Sequence, residues 1–199
     1  MKVLCEGDLV LLVSQDRKQF LVRLSPGGIL ETHRGRVLHD ALLGGRYGVE
    51  THSHVGHPFA VLEPSTSDLI MKLKRATQIM YPKDIAYAIF RLSITPGSRV
   101  IEAGTGSGSF ALAVARILSP GGCLFSYEHN ADAQRLAQRS LTELGLATRV
   151  QFRVRDIAEG FDECDVDALF LDVRSPWQYL AQAAAALKDS GSFGAILPT

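Results

Sequence analysis

Apolar positions along the 199-residue chain fall into two textures that meet near Ser67. Ahead of that point they come as short runs. Residues 9–13 and 20–24 are apolar and the stretch 14–19 between them is polar, which is the pattern of a hairpin. Gly27-Gly28, Gly35, Gly44-Gly45, Gly48 and Gly56 then punctuate the chain at roughly ten-residue spacing. Short strands between glycine turns predict a small N-terminal β domain, a barrel or a sandwich, over residues 1–66.

Ser67 reads as a helix N-cap ahead of residues 68–73, and Pro82 breaks the stretch that follows. A second helix is expected over 84–93, stopped by Pro96-Gly97, so that 67–97 forms a helical connector. From 98 the texture alternates. Apolar strands at 99–103, 123–127, 150–154 and 166–171, with a fifth opening at 193, are separated by helical stretches at 110–118, 131–144 and 177–187. Such alternation predicts βαβ units, and residues 98–199 therefore read as an α/β domain, a doubly wound parallel sheet.

Composition changes this picture little. The chain is 46% hydrophobic and 21% charged, which excludes wholesale disorder. Its 21 basic and 21 acidic residues leave no basic excess that would mark a purely electrostatic nucleic-acid binder. No run approaches the ~20 apolar residues of a membrane span, and Glu6 and Asp8 interrupt any leader. The chain thus reads as a soluble, cytoplasmic protein without a membrane partner. Cys5, Cys123 and Cys164 are widely spaced, so neither a disulfide framework nor a zinc site is expected, and buried thiols are the default. His52, His54 and His57 lack a fourth ligand, and no metal is expected. Asp162-Glu163-Cys164-Asp165 reads as a solvated acidic loop.

Ligands of open parallel sheets sit outside the carboxyl ends of the strands. Four features fall there: the glycine loop 104–108, Glu128, Asp156 and Asp172. The loop departs from G-x-G-x-x-G, since Ser109 stands where the third glycine would be. Its glycines still allow close backbone approach, and the helix behind it offers free N–H groups to a phosphate or a carboxylate. Glu128 lies twenty residues beyond Gly108, the offset of an acid that takes ribose hydroxyls.

Glu102-Ala103-Gly104-Thr105-Gly106-Ser107-Gly108 with a later Glu128 resembles the cofactor loop of class I S-adenosylmethionine-dependent methyltransferases, a Rossmann-like fold. More narrowly, the chain resembles the tRNA (adenine-58-N1)-methyltransferases of bacteria and archaea and their eukaryotic catalytic subunits. That resemblance is carried by residues 75–84, by Ser126-Tyr127-Glu128, and by Leu171-Asp172-Val173-Arg174-Ser175-Pro176-Trp177. It implies methyl transfer from S-adenosylmethionine to N1 of adenine 58 in the T-loop of tRNA, by a homotetramer. It implies that Gly104, Thr105, Gly106, Ser107, Gly108, Ser109 and Phe110 hold the methionine end, Glu128 the ribose, and Asp156 with Ile157 the adenine ring. Asp172 would be the catalytic carboxylate, bordering both methyl donor and target base. Gln78 would join the cofactor site, and Tyr81 and Trp177 the substrate site. Three residues separate Asp172 from Pro176, unlike the tighter motif of enzymes that methylate exocyclic amines.

The chain departs from the family at Asn130, where arginine is common, and it stops at Pro198-Thr199, where the family continues with two more strands. The expectation is a fragment lacking C-terminal strands. Rival readings are a methyltransferase acting on another substrate, a nicotinamide-dependent oxidoreductase, and a non-catalytic RNA-binding subunit. Lys72, Lys74, Arg75 and Lys83, and Arg34, Arg36 and Arg46, are candidate phosphate contacts or simply solvated faces.

Overall fold

A computed structural model describes residues 2–75 and 78–197. Ala76 and Thr77 of the family segment, and Pro198-Thr199, lie outside the described residues. The chain divides into two compact units, 1–69 and 70–199.

In the first unit β1 (Leu9–Ser14), β2 (Gln19–Arg23), β5 (Val49–His52) and β6 (Pro58–Leu62) form one antiparallel sheet in the order β2-β1-β6-β5. The strands β3 (Ile29–Thr32) and β4 (Gly35–Leu38) pair as a separate hairpin. Val37 of the hairpin joins Val10, Leu12, Phe59 and Val61 of the sheet in one core. Two layers sharing a core make a small sandwich rather than a closed barrel. The hairpin predicted over 9–24 is β1-β2, paired Leu9 to Arg23 through Val13 to Gln19.

Helix α1 (Thr66–Met71) is capped two residues earlier than expected. Ser65 rather than Ser67 is its cap: the Ser65 N–H and hydroxyl donate to Asp68 Oδ2, and the Asp68 N–H donates to Ser65 Oγ at 3.1 Å. This reciprocal pair, a capping box with aspartate, satisfies donors that Ser67 could not reach. Helix α2 (Pro82–Arg91) begins two residues before the predicted 84, because a proline at the first helical position lacks only an N–H that would go unpaired anyway.

The second unit holds five parallel strands in the order β11-β10-β7-β8-β9: β7 (Arg99–Ala103), β8 (Cys123–Glu128), β9 (Val150–Val154), β10 (Val166–Leu171) and β11 (Leu187–Ala195). Helices α3 (Ser109–Ile117), α4 (Ala131–Glu143) and α5 (Leu180–Ala186) connect them. The doubly wound α/β expectation stands. Val100, Ile101, Leu124 and Leu169 are fully buried, which is why the central strands read as mainly apolar runs. Each such side chain contributes about 1.5–3 kcal/mol on leaving water.

Two predicted boundaries shift. The helix expected over 177–187 is a 3₁₀ turn, Pro176–Tyr179, followed by α5. The last strand opens at Leu187, not 193, and its pairing with β10 is irregular between Val166 and Ala168, near the left-handed Ser190. Strand order reverses at β7, which pairs with β8 on one side and β10 on the other. The crevice at such a switch point is where open α/β sheets bind ligands.

Candidate active site

The carboxyl ends of β7 and β10 approach so closely that only glycine fits between them. Gly104 has φ +95°, and a Cβ there would lie 2.1 Å from the Asp172 carbonyl oxygen. The Asp172 N–H donates to the Ala103 carbonyl at 2.8 Å, and the Gly104 N–H to the Tyr127 carbonyl at 2.9 Å. The first glycine of the loop thus welds three strand ends together. Gly108 caps α3 in the left-handed region with no side-chain cap bond, and a Cβ there would press on Ala137 at 3.1 Å. Close packing of α3 on α4 therefore replaces the missing third glycine of the dinucleotide pattern. The open N-terminus of α3 leaves backbone donors facing the loop.

Glu128, at the end of β8, is nearly buried and held on both oxygens. The Gly106 N–H donates to Oε2 at 3.0 Å, the Asn130 N–H to Oε1 at 3.0 Å, and His129 Nδ1 lies 3.0 Å from Oε1. Asn130, the departure noted above, caps α4 by accepting from the Asp132 and Ala133 N–H groups. Asp156 caps the 3₁₀ turn Ile157–Glu159 through the Ala158 N–H at 2.9 Å. Below the loop, Glu102 is buried, with Ser126 Oγ 2.6 Å from its Oε2 and Thr105 Oγ1 2.7 Å from Ser126 Oγ.

Three cavities surround these groups. One of about 360 Å³ is lined by Glu128, Asp156, Ile157, Arg155 and Tyr179 among others. One of about 320 Å³ is lined by Glu102, the loop residues Gly104, Thr105, Gly106, Ser107, Ser109 and Phe110, and Gln78. The third, about 880 Å³, is lined by Gln78, Met80, Tyr81, Tyr87, Arg91 and Phe193 among others. Asp172 lines all three. Burial foremost, and then the negative Glu128, raise its carboxyl above the ordinary value.

Around these cavities lie the residues expected on the cofactor side other than Gly108, and Tyr81 borders the larger one. Gly108 acts from behind, through the packing on α4. Trp177 is 57% exposed and lines none of the three cavities. Sequence reasoning left Glu102 and Ser126 without a role. The signal for Glu102 was a lone acid among the apolar residues 100–103, immediately ahead of the glycine loop, and Ser126 carried none. His129, Arg155 and Tyr179 carried no signal, since nothing in a sequence tells which side chains beyond the strand ends border a cavity.

Other expectations are corrected. The acidic loop is not simply solvated: the Tyr127 hydroxyl donates to Glu163, Asp162 pairs with Arg155, and the Asp162 N–H donates to Tyr127 Oη at 2.9 Å. Burial and Glu163 push the Tyr127 phenol up to about 12. Cys5 and Cys164 are exposed thiols and Cys123 is half-buried. Among the described residues no three His, Cys, Asp or Glu side chains are grouped to hold a metal, and no helix is long and apolar enough to cross a membrane.

Comparison with known proteins identifies this arrangement. Residues 59–198 match the family model of the tRNA methyltransferase complex GCD14 subunit. The chain belongs to that family. Residues 3–50 match a second model, the TrmI-like N-terminal domain. The tRNA (adenine(58)-N(1))-methyltransferase TrmI of Thermus thermophilus is 34% identical over 94% of this chain and 74% of that protein. The tRNA (adenine(58)-N(1))-methyltransferase catalytic subunit TRM61 of Cryptococcus neoformans is 35% identical over 92% of this chain. The chain spans only 43% of that fungal relative's length. Among solved structures, a SAM-dependent O-methyltransferase from Thermotoga maritima superposes with a TM-score of 0.92 at 42% identity, covering 99% of this chain and 74% of that one. TrmI from Aquifex aeolicus, titled a tRNA (m1A58) methyltransferase, does so with 0.84 at 30% identity, covering 100% and 77%.

Proposed function

We propose that this member of the family transfers a methyl group from S-adenosylmethionine to N1 of adenine 58 in tRNA. The observation that carries this reading is the position of Asp172, the one carboxylate that borders the two cavities of the glycine-loop side and the larger cavity behind Tyr81.

The residues present suit the cofactor. Gly104 leaves no room for a side chain where backbone must meet ligand, and the α3 N-terminus offers donors to the methionine carboxylate. Glu128, already pinned by two backbone N–H groups, presents its carboxylate for ribose hydroxyls, and Asp156 with Ile157 borders the cavity beside it for the adenine ring. When bound, S-adenosylmethionine supplies a methyl group activated on a sulfonium. The protein's task is then alignment of nitrogen, carbon and sulfur, which proximity and orientation achieve. Asp172 accepts a hydrogen bond from the N6 amino group of the target base and stabilises the positive charge that develops on the ring. Extracting the base from its pairing in tRNA costs a few kcal/mol, offset by its new contacts in the pocket beside Tyr81.

A second reading, methylation of an oxygen acceptor, is favoured by the name of the Thermotoga maritima structure alone. We further infer that the protein acts in the cytoplasm on tRNA, as a homo-oligomer that resemblance makes a tetramer. The test is methyl-labelled S-adenosylmethionine with an unmodified tRNA transcript and with the same transcript altered at A58. Label confined to the unaltered transcript supports the reading. Equal label in both rejects the position, and label in neither, with cofactor bound, rejects the substrate.

A further inference from the structure

Beneath the glycine loop lies a carboxyl group that the reading above does not use. Glu102 is 1% exposed, in the centre of the sheet. The charged groups acting on it are Asp172, just past the end of β10, and Glu128 of β8, both acidic, while α3 faces it with the Ala111 amide. His129, exposed at the same cavity, is paired with Glu128 instead. A buried carboxylate among like charges, with no cation beside it among the described residues, is the arrangement that favours the neutral acid.

Counting hydroxyl protons leads to the same state by an independent route. Three oxygen–oxygen contacts run in series: Glu102 Oε2 to Ser126 Oγ at 2.6 Å, Ser126 Oγ to Thr105 Oγ1 at 2.7 Å, and Thr105 Oγ1 to the Tyr127 carbonyl at 3.2 Å. Each contact needs one proton, and a serine or threonine hydroxyl has one to give. If Glu102 is ionised, Ser126 donates to it and Thr105 donates to Ser126, leaving the 3.2 Å hydroxyl contact to the Tyr127 carbonyl without a proton, while that carbonyl keeps the Gly104 and Thr105 N–H donors. If Glu102 is neutral, it donates to Ser126, Ser126 to Thr105, and Thr105 to the carbonyl, so that all three contacts are made.

We propose that Glu102 carries a proton in the ligand-free protein and releases it to solvent when the cationic methionine end of the cofactor enters, the Ser126 and Thr105 hydroxyls reversing direction as it does. Glu102 is then a positioning residue: its charge appears only when a ligand cation is there to meet it, and the loop at Thr105 responds through the hydroxyl chain. Burial pushes the Glu102 carboxyl up to about 8, so the proton is held at neutral pH. The inference rests on the S-adenosylmethionine reading.

The experiment is calorimetric titration of the protein with S-adenosylmethionine at about pH 6.5, where the ligand's own amine is still protonated, in buffers of different ionisation enthalpy. The wild type is expected to release about one proton per cofactor bound, its affinity rising nearly tenfold per pH unit between about pH 6 and pH 7. Glu102→Gln is expected to release close to none and to lose that pH dependence. In the wild type alone, binding should also remove the infrared carbonyl band of a buried carboxylic acid, a readout that needs no variant to fold. No proton release, or a band that persists, overturns the inference while leaving the cofactor reading standing. Undiminished release from Glu102→Gln overturns it too, by assigning the proton to Asp172. Absence of any binding overturns the cofactor reading and this inference with it.

Discussion

The two sides of the site are built from different materials. The glycine-loop side is built of backbone and buried side chains: Gly104 pressed against Asp172, Glu128 held by two amides, Glu102 bonded through Ser126 to Thr105. Behind the connector, the cavity is more than twice as large and is bordered by side chains that reach into solvent, Tyr81 at 47% exposure and Tyr87 at 66%. The first side is preorganised, so little conformational entropy remains to be lost when a small, invariant ligand binds. The second offers apolar and aromatic surface whose contacts are completed only by what docks there. The difference separates predictions for cofactor affinity from predictions for turnover.

Asp172 is where the comparison is most easily broken, because it borders both sides. Asp172→Asn is expected to lower turnover by ~10²–10³-fold while changing the cofactor Kd by less than about threefold, since charge on the reacting base develops only in the transition state. Single-turnover methyl transfer and calorimetry measure the two quantities. An equal loss in both would show that the sides do not act separately. Burial and Glu128 raise this carboxyl, so its neutral form persists to higher pH than an ordinary aspartate's. Turnover should therefore fall as pH drops through a midpoint above the usual 3.8, and the Asn variant should lose that limb.

Gly104→Ala attacks the loop side where its backbone meets Asp172. A left-handed φ and a Cβ overlapping a carbonyl leave backbone movement as the only relief, at about 3 kcal/mol. Thermal unfolding should show a Tm lowered by several degrees, and cofactor binding should be lost. Retained binding would mean that β7 and β10 can part without harm.

How much of this was legible in the sequence follows the same division. The loop side was readable because its chemistry is local: a glycine run after an apolar strand, then acids at strand ends, each at a spacing the fold dictates. The parallel sheet was readable because burial on both faces makes 99–103 and 166–171 largely apolar runs, interrupted inside by Glu102 and Asp167. What escaped depended on tertiary contact. Ser65 caps α1 through Asp68, whereas the sequence offers Ser67 equally well. The Asp162–Asp165 stretch looks solvated until Tyr127 arrives from a strand 36 residues away to bond Glu163. Trp177 carries the family motif, yet its ring stands outside the three cavities.

The buried acid gives a test of the loop side that needs no ligand. Glu102 titrates near 8 in the folded chain against about 4.5 ordinarily, so between those values the native state binds more protons than the unfolded one. Stability must then fall as pH rises through that window and level off above it, a loss of a few kcal/mol. Chemical denaturation of the wild type at pH values across the window should show the decline, and Glu102→Gln should flatten it. A wild-type stability that rises over the same interval would contradict a neutral Glu102.

Glu128→Gln keeps the shape and removes the charge. The cofactor Kd should weaken about tenfold, the worth of a charged hydrogen bond, with turnover at saturating cofactor nearly unchanged. An unaltered Kd would place the ribose elsewhere than at the end of β8.

The smallest effect belongs to the connector side, and it is the one that sharpens the comparison. Tyr81 precedes α2 as its extended N-cap residue and, of the three cavities, lines the larger one and not the two that Glu128 borders. Tyr81→Ala should leave the cofactor Kd unchanged and raise the KM for tRNA about three- to fivefold, the share of one aromatic contact with a base. Tyr81→Phe, which keeps the ring and drops the hydroxyl, should restore most of that loss if stacking is what the residue supplies. A Phe variant as impaired as Ala would assign the effect to the hydroxyl. A weakened cofactor Kd in either would move Tyr81 across the divide, and the larger cavity would no longer be a separate substrate side.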